Sequence, residues 1–245
     1  MRSTLMKFYW RMERAFYPEL RYSQWHYHQT LNRTIPQGCE WLDLGCGHQM
    51  FASWMTVEER DLAMRSRRLI GIDLDWEALK GNKFASATVF GNLESLPFRS
   101  ISFDIATANM VVEHLTDPDA VLREVRRVLK PGGLFILHTP NLRSVVIGLA
   151  SRMPQFLKNA LALILEGRKE ADVFPTHYRM NTLAMIRQRA EVNGFHVQEL
   201  RSVCSSAITA LFGPLSIIEL LYLRALAAGS MEGRRSNLIC VLRKC

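Results

Sequence analysis

The chain has 245 residues, 48% hydrophobic and 22% charged, which supplies a full α/β core and excludes a disordered chain. Its 31 basic and 23 acidic residues give +8, a balance that admits a polyanion or an anionic membrane surface without requiring either. Five scattered cysteines, Cys39, Cys46, Cys204, Cys240 and Cys245, form no CxxC pair, which argues against a disulfide framework or a zinc site and fits a reducing cytosol.

Residues 1–37 are dense in aromatics, with Phe8-Tyr9-Trp10, Phe16-Tyr17 and Trp25-His26-Tyr27-His28, and lack the continuous apolar stretch of a secretory signal. They precede the sheet, and packing against it is the expected role of most of these rings. Short apolar runs at 41–44, 69–74, 88–90, 103–108 and 134–138 have the length of buried strands, with helical segments between them. After the first run, Gly45-Cys46-Gly47 makes a tight turn, and a helix N-terminus is expected at about 48–52. Asp75 is placed to cap a helix at 76–80. A clearer helix is predicted at 117–129, where Asp117 caps, Pro118 sits in the first turn, and Val121, Leu122, Val125, Val128 and Leu129 form one apolar stripe. Lys130-Pro131-Gly132-Gly133 should stop it.

Strands alternating with helices predict a doubly wound, Rossmann-like sheet with helices on both faces, because parallel neighbours need crossovers of helix length. Ligands then sit beyond the carboxyl ends of the strands, where strand order reverses. That rule selects residues 45–49, Asp73, and the stretches 92–96, 109–114 and 139–141. At the third-glycine position of GxGxxG stands Met50, which weakens a nicotinamide or flavin dinucleotide reading. Asp73, at the tip of the second run, can accept hydrogen bonds from both hydroxyls of a ribose.

Taken in order, Leu42-Asp43-Leu44-Gly45-Cys46-Gly47, Gly91-Asn92-Leu93-Glu94-Ser95-Leu96-Pro97-Phe98, Ser102-Phe103-Asp104 and Lys130-Pro131-Gly132-Gly133 resemble the class I S-adenosylmethionine-dependent methyltransferases of the small-molecule, type 11/12-like group. Residues 38–141 carry the resemblance. It implies a seven-stranded, mostly parallel sheet whose last strand is antiparallel and lies between strands 5 and 6. It also implies that Asp43 lies near the cofactor's ammonium group and the backbone of Gly45, Cys46 and Gly47 near its carboxylate. Asp73 and Leu74 would meet the ribose side, Asn92 and Leu93 the adenine, and Asn109 and Met110 the methionine and the methyl-transfer mouth. Where the family usually has Asp, Asn92 still offers an amide oxygen to the adenine amine. Gln49 replaces the third glycine of the family's GxGxG, a place that needs no pyrophosphate contact.

Methyl transfer from a sulfonium asks chiefly for alignment, and for a base only if the acceptor must lose a proton. His114 stands where family members often have a histidine at the site rim, and His177-Tyr178 belongs to a segment that can return across the acceptor side. His114, His177 and Tyr178 are therefore the catalytic candidates, each with a packing alternative; His138 reads as a core or site-wall residue. No metal is expected. The exit of strand 4 lacks the Pro-Pro pattern of adenine amino methylation, and no Pro-Cys nucleophile is present, so nucleic acid is disfavoured as acceptor.

One methyltransferase domain over 1–245 is expected, with a cover at 1–37, a cofactor core at 38–141, a helical insertion or lid at 142–180 bearing Arg143, Arg152, Lys158, Arg168 and Lys169, and a C-terminal part at 181–245 that holds a helix at 182–191, strands at 195–203 and 237–242, and a helical insertion at 205–230. The apolar stretch 207–228 is broken by Gly213-Pro214 and carries Glu219 and Arg224, which argues against a spanning helix. Burial, subunit contact and peripheral membrane contact stay open for it. The functional expectation is O-methylation of a small-molecule or lipid- or glycan-linked acceptor by a cytoplasmic, or membrane-associated, enzyme. A non-catalytic cofactor-binding module and an RNA methyltransferase are the alternatives.

Overall fold

A computed structural model describes residues 2–153, 174–205, 208–229 and 231–245. Residues 154–173 of the expected insertion, with Lys158, Arg168 and Lys169, and residues 206, 207 and 230 lie outside the described residues. The chain divides into two compact units. A sheet unit comprises residues 24–139, 177–201 and 238–245, and a helical unit comprises 1–23, 140–176 and 202–237.

The strands are β1 (Glu40–Leu44), β2 (Arg68–Asp73), β3 (Ala87–Phe90), β4 (Phe103–Asn109), β5 (Leu129–Pro140), β6 (Phe195–Val203) and β7 (Asn237–Lys244). They pair in the order β3-β2-β1-β4-β5-β7-β6. Six strands are parallel, and β7, inserted between β5 and β6, is antiparallel. From β1 the chain steps outward through β2 to β3, then returns to β4 on the other side of β1 and steps outward again. Right-handed crossovers on both paths put their helices on opposite faces, and the reversal between β1 and β4 opens a crevice at their carboxyl ends.

The sheet unit also holds α2 (Ser23–Thr34), α3 (Thr56–Ala63), α4 (Trp76–Gly81), α5 (Pro118–Val128) and α7 (Leu183–Val192). Its core is continuous through Leu42, Leu44, Ile72, Ala106, Ala108, Phe135, Leu137, Leu238 and Cys240, with Val121, Leu122, Val125 and Val128 of α5 packed on it. The caps follow the sequence. Asp117 Oδ1 accepts from the amides of Asp119 (3.0 Å) and Ala120 (3.1 Å), Asp75 Oδ1 from Ala78 (2.9 Å), and Thr182 Oγ1 from Met185 (3.2 Å).

Two local expectations are corrected. No helix starts at 48–52; the chain passes through a series of bends until a 3-10 turn at Ser53–Met55, and α3 begins at Thr56. The cause lies inside α3, where the Glu59 carboxylate reaches back to accept from the amides of Met50 (2.6 Å) and Phe51 (3.1 Å), satisfying donors that a helix would otherwise organise. At the other site, α5 stops before Lys130 as expected, but β5 already begins at Leu129. Its register slips from Phe103↔Leu129 to Ile105↔Leu134, so Lys130-Pro131-Gly132-Gly133 is an excursion within the strand. Lys130 Nζ clamps Asp104 at 2.8 and 2.9 Å, and a side chain at Gly133 would lie 2.9 Å from the Lys130 carbonyl, which is why glycine stands there.

In the helical unit are α1 (Arg2–Phe16), α6 (Val145–Ser151) and α8 (Leu215–Ala228), with 3-10 turns at Ile208–Leu211 and Glu232–Arg234. Its core gathers Tyr9, Leu20, Cys204, Leu220, Leu223 and Leu226. Arg235 donates to the carbonyls of Leu226 and Ala227 at the end of α8, and Asn141 Nδ2 donates to those of Gly233 (2.9 Å) and Arg235 (2.7 Å). Among the described residues no helix is long and apolar enough to cross a membrane.

Candidate cofactor and acceptor site

The crevice between β1 and β4 is lined by polar groups. Asp43, only 5% exposed, accepts from Thr107 Oγ1 at 2.6 Å, and the indole Nε1 of Trp41 donates to the same hydroxyl at 2.8 Å. Burial pushes the Asp43 carboxyl up to about 8, and the nearby carboxylates of Glu59 and Asp73 push the same way against the Thr107 hydrogen bond. An acid held in this state favours ionisation once a cation is set beside it.

The turn that follows is fastened to the tip of β2. Amides of Gly45 and Cys46 donate to the Ile72 carbonyl (2.8 and 3.2 Å), and that of Gly47 donates to Asp73 Oδ2 (2.8 Å). Asp73 Oδ1 accepts from the Asp75 amide at 2.9 Å, which fixes the carboxylate while leaving lone pairs for two further donors. Gly45 has φ +64°, and a methyl group there would run into Val111 Cγ2, so only glycine lets the backbone pass this close. Cys46 is buried and its thiol is pushed upward by that burial, which makes it a packing residue that contributes through its amide.

Leu74, next to Asp73, is 56% exposed, while Leu93 belongs to the core edge. Asn92 Oδ1 accepts from the Glu94 amide at 3.0 Å, so one lone pair of the oxygen assigned to the adenine amine shapes its own loop. Asn109 is held on three sides. Its Nδ2 donates to Gln24 Oε1 (3.0 Å) and to the Met50 carbonyl, and its Oδ1 meets His138 Nδ1 at 2.7 Å. With both amide hydrogens committed to acceptors, Oδ1 is the acceptor and His138 carries its proton on Nδ1. Burial holds His138 neutral, its ordinary value pushed down to about 3, and its ring stacks on Tyr27 at 5.3 Å.

Beyond β4, Met110 adopts φ +58° and donates its amide to the His138 carbonyl at 2.8 Å. His114 ends the 3-10 turn Val112–His114, its Nε2 3.9 Å from Glu113 Oε1. The amides of His177 (2.7 Å) and Tyr178 (3.1 Å) both donate to the Glu113 carbonyl, and Tyr178 takes φ +52°. The backbone at 177 and 178 is thus tied to residue 113, next to His114 and more than sixty positions away in sequence. The Glu113 side chain is buried and accepts from Thr139 Oγ1 (2.9 Å), which accepts from Asn181 Nδ2 (2.6 Å).

Several of these residues have no sequence signal. Thr107, Gln24 and Glu59 act through pairings across strands and loops, and nothing in their spacing announces them. Tyr27 and His138 were visible only as an aromatic in the N-terminal cover and a polar residue in an apolar strand.

A family description, "Methyltransferase domain", matches residues 42–137. This match, with the relatives and the solved structure that follow, supports a class I S-adenosylmethionine-dependent methyltransferase. A probable S-adenosylmethionine-dependent methyltransferase of Mycolicibacterium smegmatis is 28% identical over 186 residues, covering 74% of this chain and 62% of that protein. A fatty-acid O-methyltransferase of the same organism is 34% identical over 122 residues, covering 47% of this chain and 42% of its own length. These matches span less than two thirds of either curated relative. The fold is shared with an S-adenosylmethionine-dependent methyltransferase from Mesorhizobium loti, with a TM-score of 0.57 at 18% identity over 88% of this chain and 96% of that one.

The residues present fit the family's cofactor. Two carboxylates flank a turn whose first glycine admits no side chain, Asp43 suited to an ammonium group and Asp73 to a ribose diol, and the amides of the turn are fastened to the tip of β2 between them. Among the described residues no cluster of His, Cys, Asp or Glu could hold a metal ion.

Proposed function

We propose that this methyltransferase-family protein moves the methyl group of S-adenosylmethionine to an oxygen atom of a small, or lipid- or glycan-linked, acceptor. The amides of His177 and Tyr178 on the Glu113 carbonyl, which bring that segment next to His114 beyond the strand that carries Asn109, support this reading. When bound, the cofactor supplies a methyl group already activated on a sulfonium, and the protein's task is alignment.

In this reading Asp43 holds the ammonium group, the Gly45 to Gly47 backbone the carboxylate, and Asp73 with Leu74 the ribose side. Asn92 and Leu93 border the adenine. Met110 walls the methyl-transfer mouth, and His177, with Tyr178 and His114, holds the acceptor hydroxyl and takes its proton as the new oxygen–carbon bond forms. The fatty-acid O-methyltransferase relative favours oxygen on an apolar molecule over a base nitrogen.

Calorimetry with S-adenosylmethionine, followed by incubation of the methyl-labelled cofactor with lipid and metabolite extracts, tests the proposal. Saturable binding and label in an extractable, base-labile or ether-stable product are expected, with His177→Ala lowering transfer while leaving cofactor affinity unchanged. Tight binding with no transfer to any extract would instead mark a cofactor-binding module.

A further inference from the structure

Within the helical unit, α8 is an apolar helix that uses only one of its faces to close a core. Ser216, Leu220, Leu223 and Leu226 are buried, Leu220, Leu223 and Leu226 in the cluster with Tyr9, Leu20 and Cys204. On another face Leu215, Ile218 and Leu221 follow at every third position and stand 48%, 66% and 47% exposed, with Phe212 exposed just ahead of the helix. Both charged side chains of α8 have partners elsewhere in the unit. Glu219 Oε2 accepts from Thr209 N (2.8 Å) and Oγ1 (2.6 Å), and Arg224 Nη1 donates to the Phe16 carbonyl (3.0 Å). A row of three large aliphatic residues has a hydration cost that scattered surface leucines do not share.

We propose that the helical unit docks on a bilayer surface containing anionic lipids, with Leu215, Ile218 and Leu221 entering the headgroup boundary and Lys7, Arg11 and Arg14 of α1 adding electrostatic attraction. The charge of the chain favours this occupant. The helical unit's sequence holds 13 basic and 7 acidic residues, so +6 of the total +8 lies there, against 18 basic and 16 acidic in the larger sheet unit. Lys7, Trp10, Arg11 and Arg14 recur at helical spacing and border one shallow surface depression, with Trp10 44% exposed among the cations. That pairing of a ring with lysine and arginine suits a headgroup layer. A second copy of the chain would bring +6 against +6, which opposes association at low salt.

Length sets the mode of contact. The 14 residues of α8 extend about 21 Å at 1.5 Å each, short of the roughly 30 Å hydrocarbon core, so the helix lies along the surface. The inference is independent of methyl transfer, because docking needs neither cofactor nor acceptor.

Sedimentation of the full chain with vesicles tests it, using phosphatidylcholine alone and phosphatidylcholine with about one third phosphatidylglycerol. Binding to the anionic vesicles should exceed binding to the neutral ones by roughly tenfold at low salt and fall as salt is raised. Ile218→Ser with Leu221→Ser should weaken it about tenfold or more, and Lys7→Gln with Arg11→Gln about fivefold per charge. Each variant replaces exposed side chains, and an unchanged far-UV spectrum checks that it is folded. No binding of the unmodified chain at low salt overturns the proposal, as does binding indifferent to both variant pairs. Concentration-dependent dimers lost in the Ile218→Ser, Leu221→Ser variant, with no vesicle binding, would assign the face to a second copy and overturn it equally.

Discussion

Asp43 couples the site to pH. In the unliganded protein its folded value, about 8, lies above the unfolded value near 4. The folded chain therefore holds the proton more tightly, so this group's contribution to stability is intact below about pH 4 and declines as pH rises toward 8. An ammonium group beside it reverses the preference. Cofactor binding should release a proton, affinity should rise with pH up to about 8, and calorimetry in two buffers of different ionisation enthalpy should report the release. Asp43→Asn should flatten both dependences; a variant that kept the affinity slope would place its origin elsewhere. For Asp73, truncation removes a charged acceptor and unfastens the Gly47 amide. Asp73→Ala should weaken cofactor binding by about 1–3 kcal/mol in a titration, and unchanged affinity would remove Asp73 from the site.

At the scale of elements, Glu59 decides where α3 begins. Burial raises its carboxyl while the amides of Met50 and Phe51 oppose that shift. Met50 in turn offers its carbonyl to Asn109, so a helix side chain indirectly sets an amide at the mouth of the site. Glu59→Ala should cost about 2–3 kcal/mol, because it leaves buried donors without an acceptor, and should lower the melting temperature; Glu59→Gln, which keeps one acceptor, should recover part of the loss. Equal melting temperatures for Glu59→Ala and the parent would show that the 48–52 segment is held by other contacts. This pairing also shows where the sequence ceased to be legible. Strand positions followed from local apolar runs, and Asp75 and Asp117 announced their helices by caps a few residues away. The start of α3 depends on a carboxylate nine positions downstream of the amide it caps, and the excursion at Lys130 depends on Asp104 in a neighbouring strand. Neither has a local signature. The placement of Asp43, the glycine turn and Asp73 together was legible because β1 and β2 deliver them at their tips, whereas Gln24, Thr107 and Glu59 are joined only by tertiary packing.

For the whole molecule, charge and polar chemistry are divided between the units. The sheet unit is nearly balanced in charge and contains both carboxylates, the glycine turn and the residues gathered about Glu113, while the helical unit carries most of the positive charge. If cofactor contacts are confined to the sheet unit, the stabilisation they bring should be local as well as global. At one hundred times its dissociation constant a ligand adds about 2.7 kcal/mol to the stability of whatever cooperative unit binds it. Hydrogen exchange with and without S-adenosylhomocysteine can read that distribution amide by amide. Protection should rise at Gly45, Cys46 and Gly47 and around Asn92 and Leu93, and should leave the amides of α1 and α8 unchanged. Gly47 is the sharpest reporter: its amide already donates to Asp73, so exchange there requires that bond to open, and a ribose held by the same carboxylate would keep it closed. Protection appearing chiefly in α1 and α8, with Gly47 unaffected, would remove the cofactor from the β1–β4 crevice.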